Sequence, residues 1–286
     1  MFKIIPFFIL FLLQNPCSGQ APFLKNRETI NLDEWTFQKG KINYVEKLSF
    51  SANDWVAVKI PHTYSMDAIE NIGYYRGETW YRTFKEIPIS MQNQRIYIRF
   101  EGVGHEAEVF VNEKRVGKHI GGYSAFCYEI TNLVKFGEKN LIAVNVSNEP
   151  NFKRIPVNDK LFNHYGGIYR PVQIFSTPKC NISPTFHSSS GLFVEVKEIT
   201  QNEAKIEIRT HVSNTSNLKE AQLEYTLKDA LDNLVLSKNE KFEITGANKV
   251  ITSSILIKNP ILWNGLENPN LYSIEAKLIT EKSQTY

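Results

Sequence analysis

Beyond Trp35 the chain alternates apolar and polar positions with a period of two through most of its length. Across residues 95–101, Ile96, Ile98 and Phe100 alternate with Arg95, Tyr97 and Arg99, the pattern of a strand with one apolar face. Residues 106–111 repeat it, with Ala107, Val109 and Val111 on one side. The polar run Asn112, Glu113, Lys114 and Arg115 predicts a hairpin turn, with strand resuming at Val116. Alternation returns over residues 141–146, and residues 172–175 read as a short closing strand. No stretch before residue 178 sustains a helical period. Several short strands within about 150 residues predict a β-sandwich of the jelly-roll kind.

Pro178, Pro184 and the run from Ser188 to Gly191 then punctuate the pattern between residues 177 and 190. Strand signals restart over residues 192–196, 206–212 and 221–227, and again near 241–244, 250–257 and 271–279. Six or so short strands in about 100 residues suit an immunoglobulin-like sandwich, although its Cys–Trp–Cys hallmark is missing. No obvious final strand precedes Tyr286. The predicted fold class is therefore all-β. A jelly-roll domain spans residues 26–177, and an immunoglobulin-like sandwich, incomplete at its end, spans residues 178–286.

Composition narrows the function classes. With 33 basic and 30 acidic residues and no basic block, the chain offers no surface for nucleic acid or an anionic membrane. Lys3, the apolar run of residues 4–13 and the small residues around Ser18 and Gly19 form a secretory leader over residues 1–19. That run is far short of the roughly 20 residues of a membrane span. The mature protein is therefore expected to be secreted or periplasmic. Cys17 leaves with the leader, and Cys127 and Cys180 fall in different predicted elements, which favours two separate thiols over a bridge. The sequence has no zinc-spaced Cys/His set, no phosphate-binding glycine loop and no Gly-x-Ser-x-Gly elbow. No cofactor or metal is predicted. Three Asn-x-Ser/Thr sequons, at Asn145, Asn181 and Asn214, matter only in a glycosylating host.

Taken in order, several motifs carry a likeness. Leu32 to Phe37 opens the first unit, and Trp55 leads to Ile60-Pro61-His62-Thr63-Tyr64. Tyr74 to Arg82, Phe100 to Val103, Ala107 to Asn112 and Gly121 to Phe126 follow, and Tyr165-Gly166-Gly167-Ile168-Tyr169-Arg170-Pro171-Val172 closes the set. This series resembles the sugar-binding domain of family 2 glycoside hydrolases, especially β-galactosidase-like members. Pro260 to Trp263 and Asn268 to Tyr272 are similar to the end of that family's immunoglobulin-like second domain. Together the likeness covers roughly residues 28–280. It implies a carbohydrate ligand, galactose before glucuronic acid or mannose, and a following barrel of about 250 residues that carries two catalytic glutamates. The sequence in hand stops before such a barrel, so the chain is expected to be inactive alone. A separate barrel protein or a second copy of the chain would be its partner. The alternative is a free-standing, lectin-like protein.

Hydrolysis of a glycosidic bond needs two opposed carboxyl groups, about 5–5.5 Å apart in the retaining mechanism. The tempting Asn148-Glu149-Pro150 follows a strand rather than sitting in a βα unit, and reads as a solvated turn. No catalytic residue is assigned. Sugar contacts are expected elsewhere. The family likeness turns residues 62–67 and 74–77 toward the sugar: Asp67 could accept from hydroxyls, Arg76 could donate, and Tyr75 could stack. Relatives place an aspartate just before the Gly166-Gly167 pair. Here Leu161 holds that position with Asp159 nearby, and Asn163 and His164 offer polar contacts. Against these stand plainer readings. Arg76 would pair with Glu78 or Asp67, His62 would be a hydrogen-bonded structural histidine, and the two glycines would permit a close backbone approach.

Overall fold

The computed structural model describes residues 27–64, 75–152, 165–281 and 284–285. The expected leader, Asp67, Asp159, Leu161, Asn163 and His164 lie outside them. The described residues form two antiparallel β-sandwiches in series. Among the described residues there is no α-helix, and single 3-10 turns occur at Ile89–Met91 and Phe186–Ser188.

The first sandwich contains β1 (Thr29–Asn31), β2 (Glu34–Lys39), β3 (Val56–Lys59), β4 (Glu78–Glu86) and β5 (Arg95–Phe100). It continues with β6 (Glu106–Val111), β7 (Lys114–Ile120), β8 (Phe126–Glu129), β9 (Lys139–Ser147) and β10 (Val172–Thr177). One sheet runs β3-β2-β4-β9-β6-β7 and the other β1-β10-β5-β8. Their facing sides bury Ile96, Ile98 and Phe100 against Val109, Val111 and Val144. The alternation read from the sequence is thus the inner face of each strand. The β6–β7 turn is tighter than its four polar residues suggest. Asn112 and Glu113 both take positive φ, +46° and +68°, which closes the hairpin in two residues as a right-twisted ribbon prefers. Lys114 and Arg115 are polar because they lie on the exposed hairpin arm.

The second sandwich contains β11 (Cys180–Ile182), β12 (Leu192–Ile199), β13 (Glu203–Asn214) and β14 (Glu220–Lys228). β15 (Leu234–Glu243), β16 (Asn248–Lys258), β17 (Ser273–Ile279) and a two-residue β18 (Gln284–Thr285) follow. β13 is central to one sheet, with β16 on one side and β12 and β11 in succession on the other; the facing sheet runs β15-β14-β17-β18. Ile206, Ile208, Leu223, Tyr225 and Leu278 fill the space between them. β18 is present where the sequence shows no obvious last strand, although it pairs only with Leu278 and Ile279.

The sandwiches meet with almost no linker: only Pro178 and Lys179 separate β10 from β11. All six residues of β5 and all six of β10 are buried, on both faces. Arg95, Tyr97 and Arg99 face away from the first core. There Tyr97 stacks on Phe175 with ring centres 5.3 Å apart, beside Cys127. The Arg95 guanidinium donates to Ser213 Oγ at 2.7 Å, and that of Arg99 donates to the Ser188 carbonyl. Both acceptors belong to the second sandwich. Cys127 and Cys180 are free, buried thiols, and burial pushes them up to about 12 and about 11, which leaves them inert at neutral pH. The sequon asparagines are unsuited to a glycan: Asn145 lies within a doubly paired strand, and Asn181 and Asn214 are buried.

Candidate functional site

At one end of the first sandwich, three short extended segments bridge the two sheets. The His62 N–H donates to the Ile168 carbonyl at 2.8 Å and Tyr64 N–H to Gly166 at 3.3 Å. Gly104 and Gly167 exchange a reciprocal pair at 3.0 and 3.3 Å. The approach is so close that only glycine fits. A Cβ on Gly166 would overlap the Tyr64 ring, and one on Gly167 (φ +123°) would sit 2.5 Å from the His62 carbonyl oxygen. The glycine pair therefore has a sufficient packing reason of its own.

Beneath these segments lies an aromatic layer. Phe37 stacks on Tyr64 at 5.8 Å and leans on Tyr81 at 4.9 Å. His62 Nδ1 lies 2.7 Å from the Tyr81 hydroxyl, which makes His62 a hydrogen-bonded histidine. Burial, aided by the Lys39 charge, holds its imidazole below the ordinary value, while burial drives the Tyr81 hydroxyl well up. The pair is thus a neutral ring against a neutral phenol.

The mouth is held by Asn148. Its Oδ1 accepts from Gly77 N–H at 3.0 Å and its Nδ2 donates to the Tyr75 carbonyl at 3.1 Å, which clamps the start of β4 to the end of β9. Tyr75 is half-buried: its hydroxyl donates to the Glu78 carbonyl at 2.8 Å, its ring meets Tyr64 edge-on, and Lys39 Nζ lies 5.5 Å from its centroid. Arg76 is half-buried beside it, close enough for its charge to act on the Tyr64 hydroxyl. Of the residues expected to touch sugar, the structure brings Tyr75 and Arg76 to this mouth. Asp67, Asp159, Asn163 and His164 lie outside the described residues.

Two exposed rings at the same end escaped the sequence reading. Tyr123 is 64 % exposed with its centroid 6.4 Å from the buried His105, and Tyr165 is 55 % exposed. The loop of Tyr123 is pinned by the Tyr169 hydroxyl, which donates to the Gly122 carbonyl, and by Gly121 N–H to His105 O at 2.9 Å. Such fixed, wet aromatic faces suit stacking against a sugar ring. The runs that carry the rings, Gly121-Gly122-Tyr123 and Tyr165-Gly166-Gly167, were legible, but exposure is not written in a motif.

No acid is brought into position for bond cleavage among the described residues. Glu149 is exposed just past β9, with its N–H on Ser147 Oγ at 3.2 Å. No Asp or Glu occurs among the buried polar residues described, and the half-buried Glu101 and the more exposed Glu129 are tied to Arg99 and Arg95 rather than set opposite another carboxyl. Nor do the described residues hold a cluster of His, Cys, Asp or Glu fit for a metal ion.

Comparison with known proteins agrees with this architecture. Residues 40–178 match the family described as glycosyl hydrolases family 2, sugar binding domain, and residues 190–286 match glycosyl hydrolases family 2. A β-glucuronidase of Bacteroides fragilis is 35 % identical over 230 residues, 79 % of this chain and 33 % of that protein. A β-galactosidase of Thermoanaerobacter pseudethanolicus is 30 % identical over 89 % of this chain and 34 % of its own length. The crystal structure of a Bacteroides uniformis β-glucuronidase superposes with a TM-score of 0.84 at 30 % identity, covering 91 % of this chain and 31 % of that one. The chain thus spans about a third of the length of these relatives.

Proposed function

Because the chain belongs to glycosyl hydrolase family 2, we propose that it is the non-catalytic, sugar-contacting front of a secreted or periplasmic β-glycosidase. The first sandwich, a jelly roll, lends its mouth to the sugar pocket, and the second spaces that mouth from a catalytic barrel. The observation that carries the reading is a pairing of presence and absence at one place. The mouth offers fixed aromatic rings and a neutral hydrogen-bonding layer, yet the described residues bury no carboxyl group. Among the described residues, binding chemistry is supplied there and no opposed pair of carboxyls is. For substrate, a terminal β-galactoside or β-glucuronide fits the reading, since both activities are named among the relatives.

Chemical-shift mapping with galactose and with glucuronic acid tests the assignment. Weak, saturable perturbation should fall on residues 62–64, 75–77, 121–123 and 165–167. Perturbation centred on another face, or none at saturating sugar, refutes it. A sub-millimolar affinity would instead favour a free-standing lectin-like protein, the reading to which the exposed Tyr123 and Tyr165 lend weight.

A further inference from the structure

Between β16 and β17 the chain makes a small closed turn over residues 264–268. The Asn264 N–H donates to the Asn268 carbonyl at 2.7 Å, and the Asn264 carbonyl accepts from the N–H of Glu267 and of Asn268, both at 3.1 Å. Asn264, Leu266, Glu267 and Asn268 all stand in solvent, Leu266 completely. Asn264-Gly265 is the sole Asn-Gly pair in the sequence.

An asparagine loses its amide when the backbone nitrogen of the next residue attacks its side-chain carbonyl carbon. Burial, a hydrogen bond that engages the attacking N–H, and a Cβ that blocks the approach each suppress this reaction in folded chains. None of the three operates here. Gly265 has no Cβ, and no neighbour stands within 4 Å of the place one would take. Its N–H donates to no acceptor among the described residues. The other asparagines of the segment differ. Asn259 and Asn268 precede prolines, whose nitrogens carry no proton to give up, and Asn270 precedes the bulky Leu271. The side-chain amides of Asn268 and Asn270 also donate to the Leu262 and Ile261 carbonyls, at 2.9 and 3.1 Å. That of Asn264 donates to the exposed Glu267 carboxylate at 2.8 Å, where water competes for both partners.

We propose that Asn264 is a site of spontaneous deamidation in the folded chain. The Gly265 nitrogen gives its proton to hydroxide and bonds to Asn264 Cγ. The Cγ–Nδ2 bond then breaks, and the nitrogen takes up a proton from water and leaves as ammonia. Water opens the resulting cyclic imide at either carbonyl, which yields aspartate or isoaspartate, with nothing oxidised or reduced. Both products undo the turn. An aspartate sets its carboxylate against that of Glu267, where the amide had donated. An isoaspartate inserts a methylene into the backbone and takes the old Asn264 carbonyl out of the ring that it closes with Glu267 and Asn268. The inference stands apart from the proposed sugar site and does not depend on it.

The whole chain is aged in mildly alkaline and in mildly acidic buffer, beside a synthetic peptide of residues 259–277. Trypsin, cutting after Lys258 and Lys277, then releases the same segment from the chain for mass spectrometry. In alkaline buffer the segment should show the mass change of an amide NH2 replaced by OH, located at Asn264, with ammonia released in equal amount. Asn259, Asn268 and Asn270 should keep their amides. Asn264→Gln should lose the change, and Gly265→Ala should slow it at least about tenfold. Amide exchange across residues 261–268 should quicken as conversion proceeds. The proposal is overturned if the peptide deamidates while the folded chain does not, or if the change falls on another asparagine or persists in Asn264→Gln. Unaltered exchange in the converted chain would overturn the loss of the turn.

Discussion

Gly167 carries a backbone at φ +123° that side-chain-bearing residues rarely adopt, and its missing Cβ leaves room for the His62 carbonyl and the Tyr81 hydroxyl. Gly167→Ala should therefore cost at least about 2 kcal/mol, since neither the rigid backbone oxygen nor the buried phenol can yield. Urea unfolding of the variant measures it. The histidines add a pH dependence. His62, His119 and His211 all sit below their ordinary value, chiefly because burial disfavours the charged ring. The unfolded chain then takes up protons first. The stability that these rings contribute is complete above about pH 6.5 and is lost as pH falls through that value toward the lowered folded values. The melting temperature should fall between about pH 7.5 and 5.5, and fall less in His62→Asn. A flat profile would show that the rings are as accessible to protons folded as unfolded. Sequence reading anticipated His62 as a hydrogen-bonded residue and gave the glycines a packing reason. It could not find Asn148, because the clamp from Gly77 to Tyr75 joins positions distant in sequence that only the fold brings together.

At the scale of elements, period-two alternation located β6, β9, β13 and β16 to within a few residues, because each has one apolar inner side. It located β5 as well, but alternation says nothing of what covers the second face. There the second sandwich covers Arg95, Tyr97 and Arg99, and Arg95 is paired with Glu129 at 2.6 Å as well as with Ser213. Burial alone would raise the Glu129 carboxyl; hydrogen bonds from Arg95 and Thr131 outweigh it and bring it below the usual carboxylate range. β15 was legible only at its end, since most of its length is exposed and polar side chains crowd it. The arginines tie the two sandwiches together, so removing them should uncouple the halves. Arg95→Met combined with Arg99→Met should cost about 1–3 kcal/mol. It should also split a single calorimetric transition into two. One unchanged transition would mean that Tyr97, Phe175 and Cys127 hold the sandwiches together without the charges.

In the reading proposed above, the whole molecule divides labour between a mouth that holds a sugar and a second sandwich that spaces it from a catalytic barrel. The family was legible because its motifs mark places where backbone or aromatic packing leaves little choice: Gly166 and Gly167 under His62 and Tyr64, and Trp35 and Tyr81 in the first core. The exposure of Val194 and Val196 was not, because alternation marks both as ordinary inner-face strand residues. Retaining cleavage would demand two carboxyls held about 5–5.5 Å apart and shielded from water. Here the carboxyl that the sequence makes most tempting, Glu149, stands exposed just past β9. The most direct measurement is a hydrolysis assay of the purified 286-residue chain on nitrophenyl β-galactoside and nitrophenyl β-glucuronide. No release of nitrophenol above the buffer rate is expected from the parent or from Glu149→Gln. Steady turnover by the parent that disappears in Glu149→Gln would contradict the account.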